Sequence, residues 1–128
     1  IITTHKGNQM KKFTGSCHCG AVVFRISSNF NKTIRCDCSL CKRKGTVINL
    51  IETNEFELLK GSEALSLYEW NSKIAKHYFC KICGIYTHHI RRSVAAMGVN
   101  VGCFDHLTID DLSDIGLVKG STFSIVNS

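Results

Sequence analysis

The sequence predicts a mainly β domain that is organised around clustered cysteines. Apolar and polar residues alternate over short segments, and turn-forming residues separate these segments. Almost no segment shows the periodicity of a helix. Seven of the eight cysteines fall into three clusters, which place two or three sulfurs close together in the chain. Sulfurs at this spacing are typical of metal-binding turns.

The first half of the chain contains several strand candidates. Residues 21–26 place Val22, Phe24 and Ile26 on one face and so predict a half-buried strand. Residues 46–52 are rich in β-branched side chains, which favours a buried strand. The remaining candidates are the run 33–35, which leads to the second cysteine cluster, and the short strand or turn 56–59. We expect a basic turn at residues 42–45.

The second half continues the same pattern. Residues 65–70 predict a strand with Tyr68 and Trp70 on an aromatic face, followed by a hairpin turn at Asn71 and Ser72. We expect further strands at residues 73–79, 85–90 and 96–101, a helical turn at 107–112 and strand-like residues within 116–126.

Length and composition predict one globular domain. The chain has 128 residues, of which 44% are hydrophobic and 20% charged, and this balance argues against disorder. No apolar run approaches the roughly 20 residues that span a bilayer. We expect the domain to cover residues 10–128. Met10 is a candidate native start, so residues 1–9 are expected to be vector-derived or disordered.

Cysteine usage favours metal binding over disulfides. The sequence shows no secretory signal, so we expect a cytoplasmic protein with reduced thiols. Cysteines one or two residues apart also bridge each other poorly.

The charge balance does not favour nucleic acid. The formal charge of +6 would fall to about +3 if seven thiolates bound two zinc ions. Aromatic residues are not interleaved with a basic stripe. We expect a solvated surface that attracts small anions.

The clustered sulfurs divide naturally into four and three. Zinc takes four such ligands in a structural site, and three plus an open position in a catalytic site. A Cys-X-Cys pair and a Cys-X-X-Cys pair, each at a turn before a strand, predict a structural zinc site on Cys17, Cys19, Cys80 and Cys83. The compact tripod Cys36, Cys38 and Cys41 predicts a second site. Its fourth position could hold water, a substrate thiolate or another protein group.

The residues around the clusters resemble a known family. The matching stretches are residues 15–24, 36–41, 56–61, 79–84 and 99–105. They are similar to the glutathione-dependent formaldehyde-activating enzymes, which share their domain with centromere protein V. The resemblance covers roughly residues 13–105.

The resemblance implies a fold of several coiled antiparallel β-sheets around zinc knuckles, like that of the Rab accessory factor group. It implies the same division of the cysteines into a structural and a catalytic zinc site, with two zinc ions per chain. The implied reaction adds glutathione, or a similar small thiol, to formaldehyde or another aldehyde. Named in reverse, it is a carbon–sulfur lyase reaction. The alternatives are a non-catalytic zinc-binding interaction module and, more distantly, an iron–sulfur site on the middle cluster.

Several polar residues are candidates for binding the substrate. Lys42, Arg43, Arg91 and Arg92 could bind the carboxylates of glutathione, and an arginine is favoured because its guanidinium matches a carboxylate. Asn100 could hydrogen-bond a ligand or simply end a strand.

The eighth cysteine and three of the histidines are not assigned to a metal site. We expect His18 to be exposed or to donate a hydrogen bond near the first site. His88 and His89 alternate along a strand, so only one of them should face any site. Cys103 is expected to pack in the core, and the alternative is that it closes the middle site.

Overall fold

The computed structural model describes residues 10–69, 75–91, 96–108, 110–112 and 117–118. As predicted, the architecture in this part of the chain is mainly β. The strands are β1 (Lys11–Ser16), β2 (Val23–Ser28), β3 (Thr33–Cys36), β4 (Ile48–Glu52), β5 (Phe56–Lys60), β6 (Leu65–Tyr68), β7 (Lys76–Cys80), β8 (Tyr86–Ile90), β9 (Ala96–Asn100) and β10 (Leu117–Val118).

These strands form two sheets. The smaller sheet has the order β1-β2-β5, and the larger has the order β10-β3-β4-β9-β8-β7-β6. Neighbouring strands are antiparallel except for β10 and β3, which are parallel. None of the described helices is long and apolar enough to cross a membrane.

The main core lies between the two sheets. Strand β2 buries Phe24 and Ile26, which confirms the predicted alternation. The Phe24 ring packs edge-on against Phe104, with 5.6 Å between the ring centroids. Val99 of β9 belongs to the same core. Fully burying each such side chain stabilises the fold by roughly 1.5–3 kcal/mol.

One short helix, α1 (Ser39–Lys44), replaces most of the predicted basic turn. The prediction of a turn at residues 42–45 was therefore wrong for its first three residues. The side chain of Cys38 caps the amino end of the helix by accepting the N–H of Cys41. Gly45 ends the helix at φ 63°, a conformation that glycine adopts without the steric cost of a Cβ.

The other element predictions were largely confirmed. The strand predicted at 96–101 ends at Asn100, where a 3₁₀ turn, Val101–Cys103, begins. Of the helical turn predicted at 107–112, the described residues show a 3₁₀ turn at Asp110–Leu112. Of the predicted tail strand, Leu117–Val118 is described. Trp70, the hairpin turn at 71–72 and residues 1–9 lie outside the described residues.

A bulge in β8 decides which side chains face the metal-binding region. Tyr78 pairs with His88 and Phe79 pairs with Tyr86, so Thr87 is an extra residue in β8. An extra residue reverses the alternation of side chains along a strand. Tyr86 therefore shares a face of the sheet with His89, while His88 lies on the opposite face.

Opposite faces of the larger sheet have different neighbours. His88 packs in the interior against Phe56 and Tyr78, with ring centroids 4.5 and 4.7 Å away. His89 lies on the face that also carries Ile48, which packs against Cys38 and Cys41. The prediction that only one of the two histidines faces a site is consistent with this arrangement.

Gly61→Ala should destabilise the fold through a backbone clash. Gly61 has φ 97°, and a Cβ there would lie 2.1 Å from the carbonyl oxygen of Ala21 and 2.8 Å from Cα of Val22. Overpacking of this kind adds about 1–3 kcal/mol to the strain of a side chain at positive φ. The free energy of unfolding in urea measures the loss.

Gly45→Ala is the matched control. Gly45 also has positive φ, but a Cβ there meets nothing within 4 Å. Its substitution should cost only the conformational strain, about 1–2 kcal/mol. Equal losses for the two variants would contradict the proposed clash at Gly61.

Candidate functional site

The first cysteine cluster brings four sulfurs from two distant turns together. The Sγ atoms of Cys17, Cys19, Cys80 and Cys83 all lie within 4.8 Å of one another. Cys19 Sγ is 3.7 Å from Cys17 Sγ and 3.7 Å from Cys80 Sγ. A tetrahedral zinc with Zn–S bonds of about 2.3 Å requires sulfurs about 3.8 Å apart. The donor set therefore fits a four-coordinate thiolate site.

Two similar turns present these sulfurs, as the sequence predicted. In the first, the N–H of Cys17 donates to Val22 O at 3.1 Å and the N–H of Gly20 donates to Cys17 O at 3.2 Å. The second turn repeats the pattern around Cys80, whose carbonyl accepts the N–H of Gly84 at 2.8 Å. Gly20 and Gly84 have φ angles of 80° and 82°. Both glycines let the chain reverse directly after the sulfurs.

Backbone N–H groups point at two of these sulfurs. The N–H of Val22 donates to Cys17 Sγ at 3.3 Å, and the N–H of Ile82 donates to Cys80 Sγ at 3.4 Å. Burial raises the pKa of Cys17, but the Val22 N–H and neighbouring thiols outweigh burial and lower it. Such hydrogen bonds suit thiolates that bind a metal.

The middle cluster forms a tripod of three sulfurs. Cys36 ends β3, Cys38 precedes α1 and Cys41 lies within α1. Their Sγ atoms lie within 4.8 Å of one another. Among the described residues, no further His, Cys, Asp or Glu joins this group. The chain supplies three donors here, one fewer than in the first cluster.

The tripod lies against an apolar wall. Cys38 and Cys41 are buried and Cys36 is half-buried. Ile48 of β4 packs directly against the sulfurs, together with the partly buried Ile34, Leu40 and Leu50. The half-buried Cys36 keeps part of the cluster in contact with solvent.

Cys38 is the most acidic thiol of the tripod. A hydrogen bond from the Cys41 thiol lowers the pKa of Cys38 to about 5, although burial acts in the opposite direction. The backbone N–H of Cys41 also donates to Cys38 Sγ at 3.4 Å. The same interaction with Cys38 raises the pKa of Cys41. One thiolate is therefore favoured even without a bound metal ion.

A polar group that sequence reasoning missed lies beside the tripod. Lys44 follows Cys41 by three residues on α1, and residues at this spacing share a helix face. Its Nζ is 3.1 Å from His77 Nδ1 and 3.6 Å from the centre of the Tyr86 ring. Tyr86 Oη in turn forms a hydrogen bond with His89 Nδ1. We call Lys44, His77, Tyr86 and His89 the lysine cluster.

The charges within the lysine cluster can be assigned. Burial lowers the pKa of Lys44 to about 8, so the ammonium form still predominates at neutral pH. Burial, followed by the charge of Lys44, lowers the pKa of His77 to about 3 and also lowers the pKa of His89. Both imidazoles are therefore neutral, and Lys44 donates its hydrogen bond to His77.

The predicted substrate-binding residues have different environments. Arg91 is half-buried directly after β8, and Arg92 lies outside the described residues. The Asn100 side chain donates to Tyr86 O at 2.8 Å and accepts the N–H of Gly102 at 3.0 Å. These bonds hold the turn after β9 and leave one N–H and one lone pair of the amide for a ligand. Roles for these residues in substrate binding remain predictions.

The leftover residues supply no ligand to either cluster. His18 is exposed and belongs to neither group of sulfurs. Cys103 is buried, with its Sγ 3.8 Å from Tyr86 O, and also belongs to neither group. None of the eight cysteines, all of which the structure describes, forms a disulfide. The expectation of core packing for Cys103 is confirmed.

Comparisons with known proteins agree with the resemblance found in the sequence. The model of the family described as "Glutathione-dependent formaldehyde-activating enzyme" matches residues 12–114. A relative from Halomonas elongata, whose name provisionally identifies it as such an enzyme, is 36% identical over 81 residues. The match covers 54% of this chain and 50% of the relative, so the chain spans about half the length of that protein.

A solved structure supports the fold. The crystal structure of a Rhodobacter sphaeroides protein superposes with a TM-score of 0.79 and 38% sequence identity. The superposition covers 83% of this chain and 100% of that chain.

The two sulfur clusters should respond differently to the loss of one ligand. Cys80→Ser should lower the free energy of unfolding by at least about 3 kcal/mol, because it opens a link between distant parts of the chain. Cys38→Ser should release one metal ion per chain and leave the domain folded. Elemental analysis gives the metal content, and urea denaturation gives the stability.

Wild-type protein treated with a chelator provides the reference for complete metal loss. Equal destabilisation by Cys38→Ser and Cys80→Ser would mean that the tripod is also a structural site.

Proposed function

The chain belongs to the glutathione-dependent formaldehyde-activating enzyme family, and we propose that it adds a small thiol, such as glutathione, to formaldehyde or another aldehyde. The product is an S-hydroxymethyl adduct, and the reverse reaction is a carbon–sulfur lyase reaction. The observation that carries this proposal is the tripod of three sulfurs without a fourth protein donor among the described residues.

Zinc is the metal that we propose for both clusters. The sulfur separations of 3.7 Å in the first cluster match a tetrahedral zinc site. Bound at the tripod, where three thiolates reduce its Lewis acidity, zinc would chiefly favour the ionised form of a visiting thiol. Cys36, Cys38 and Cys41 would hold that ion and leave one side for the substrate sulfur. The absence of disulfides also suits the reducing cytoplasm that we propose as the location.

The proposed reaction needs few groups from the protein. The thiol loses its proton to solvent, and a sulfur lone pair forms the new bond to the carbonyl carbon. The carbonyl π electrons move to oxygen, which then takes a proton from water. The tripod positions the sulfur, and the apolar wall formed by Ile48 and its neighbours limits the approach of other nucleophiles.

The substrate's carboxylates need cationic partners. We propose Arg91 and Arg92 for this role because a guanidinium can donate two parallel hydrogen bonds to a carboxylate. Arg91 lies directly after β8, two residues beyond His89 of the lysine cluster, and this position supports its assignment. We also propose that Asn100 binds the substrate through its remaining amide positions.

Titration of cobalt-substituted protein with glutathione tests the proposal. Glutathione should change the visible spectrum of one of the two cobalt ions and saturate at one equivalent, because its sulfur fills the open position. S-methylglutathione, which has no thiol, should leave the spectrum unchanged. Exchange of ¹³C-formaldehyde into the adduct, measured by NMR, should be faster with the zinc-loaded protein than with buffer.

A spectrum that millimolar glutathione does not alter would contradict the proposal. A non-catalytic zinc-binding interaction module would then be the better description of the chain.

A further inference from the structure

Lys44 places a positive charge on the same short helix as the sulfur of Cys41. It lies one helical turn from Cys41, on the same face of α1. The thiols of Cys41, Cys38 and Cys36 all act on its charge, so the ammonium lies within electrostatic reach of the whole tripod. This placement follows from the short helix that the sequence patterns did not predict.

The protein fixes the direction of this ammonium. An ammonium has three N–H donors. One donates to His77 Nδ1 at 3.1 Å, and the cation lies 3.6 Å from the centre of the Tyr86 ring. Within the described part of the chain, Lys44 forms no salt bridge with a carboxylate. At least one N–H therefore remains for a ligand, and no carboxylate of that part competes for it.

The surrounding residues support this arrangement through further contacts. Tyr86 is held by its hydrogen bond to His89, and the His77 and His89 rings stack with centroids 5.2 Å apart. Gly98 makes room for this stack, because a Cβ there would lie 2.4 Å from His89 Cε1 and 2.7 Å from Ile48 Cγ2. His77, Tyr86 and His89 are thus positioning residues for Lys44.

We propose that Lys44 Nζ is an oxyanion-binding group, which donates a hydrogen bond to the aldehyde oxygen during thiol addition. This inference rests on the proposed function and adds a residue to it. When the thiolate sulfur bonds to the carbonyl carbon, the π electrons become a charge on oxygen. The fixed N–H of Lys44 stabilises that charge before water protonates the oxygen. Loss of one such donor typically lowers kcat by about 100-fold to 1,000-fold.

A purely structural role for Lys44 makes a different prediction. A lysine that only balances the charge of the thiolates would affect metal retention and would not bind an added oxyanion. Formate distinguishes the two roles, since it is a one-carbon oxyanion of about the size of formaldehyde. Its binding can be measured on the zinc-loaded protein without any turnover.

The test compares Lys44→Met with wild-type protein and with Lys60→Met. Lys60 is exposed at the end of β5 and carries the same charge. NMR line broadening of ¹³C-formate should show at least about 10-fold weaker binding to Lys44→Met and no change for Lys60→Met. For Lys44→Met, kcat should fall by about 100-fold while KM for glutathione stays within about twofold. Lys44→Gln, which keeps a neutral N–H donor, should give intermediate values.

Zinc content and circular dichroism establish that each variant is loaded and folded. If Lys44→Met fails to fold or to bind zinc, Lys44→Gln takes its place in the comparison. Wild-type-like formate binding and kcat in the Lys44 variants would overturn the inference and leave the proposed function intact. Equal losses in Lys60→Met would also overturn it. An inactive wild-type protein that binds formate through Lys44 would contradict the proposed function and support the oxyanion site.

Discussion

The four-sulfur cluster is the constraint on which the rest of the structure depends. It joins two turns whose sulfurs, at Cys19 and Cys80, are 61 positions apart in the chain. The metal ion that we propose for these four sulfurs would link the two turns. A link of this span would remove much conformational freedom from the unfolded chain and would supply a large share of the stability of a small domain. The two turns also start β-structure on either side of the domain, since Cys17 is followed by β2 and Cys80 by β8. Packing of the two sheets can then bury the core between them.

The two faces of the larger sheet differ in what they contact. One face contributes His88 and Val99 to the core against the smaller sheet. The other face carries the tripod, its apolar wall and the lysine cluster. The bulge at Thr87 is what places Tyr86 on that second face, and the absence of a side chain at Gly98 leaves space there for His89. A site with buried polar groups therefore forms beside the tripod without disturbing the main core.

Much of this structure could be predicted from the sequence, because its strongest signals are local. Alternation identified β2, cysteine spacing identified both clusters, and the glycines after Cys19 and Cys83 identified the two turns. Helix α1 was missed because six residues are too few to show helical periodicity. The lysine cluster was missed for a different reason: it joins α1, β7 and β8 and depends on the bulge, whose position follows from strand pairing. Lys44 consequently seemed to be one of several basic residues in a turn.

Of the two zinc ions that we propose, one would be fully enclosed by sulfur and the other would not. X-ray absorption at the zinc edge of the fully loaded protein measures this most directly, because it counts the sulfur neighbours of each ion on average. We expect about 3.5 sulfur atoms per zinc at about 2.3 Å, with a lighter oxygen or nitrogen ligand making up the remainder. An average of four sulfur atoms per zinc in the absence of added thiol would contradict it, since both sites would then be closed by the protein.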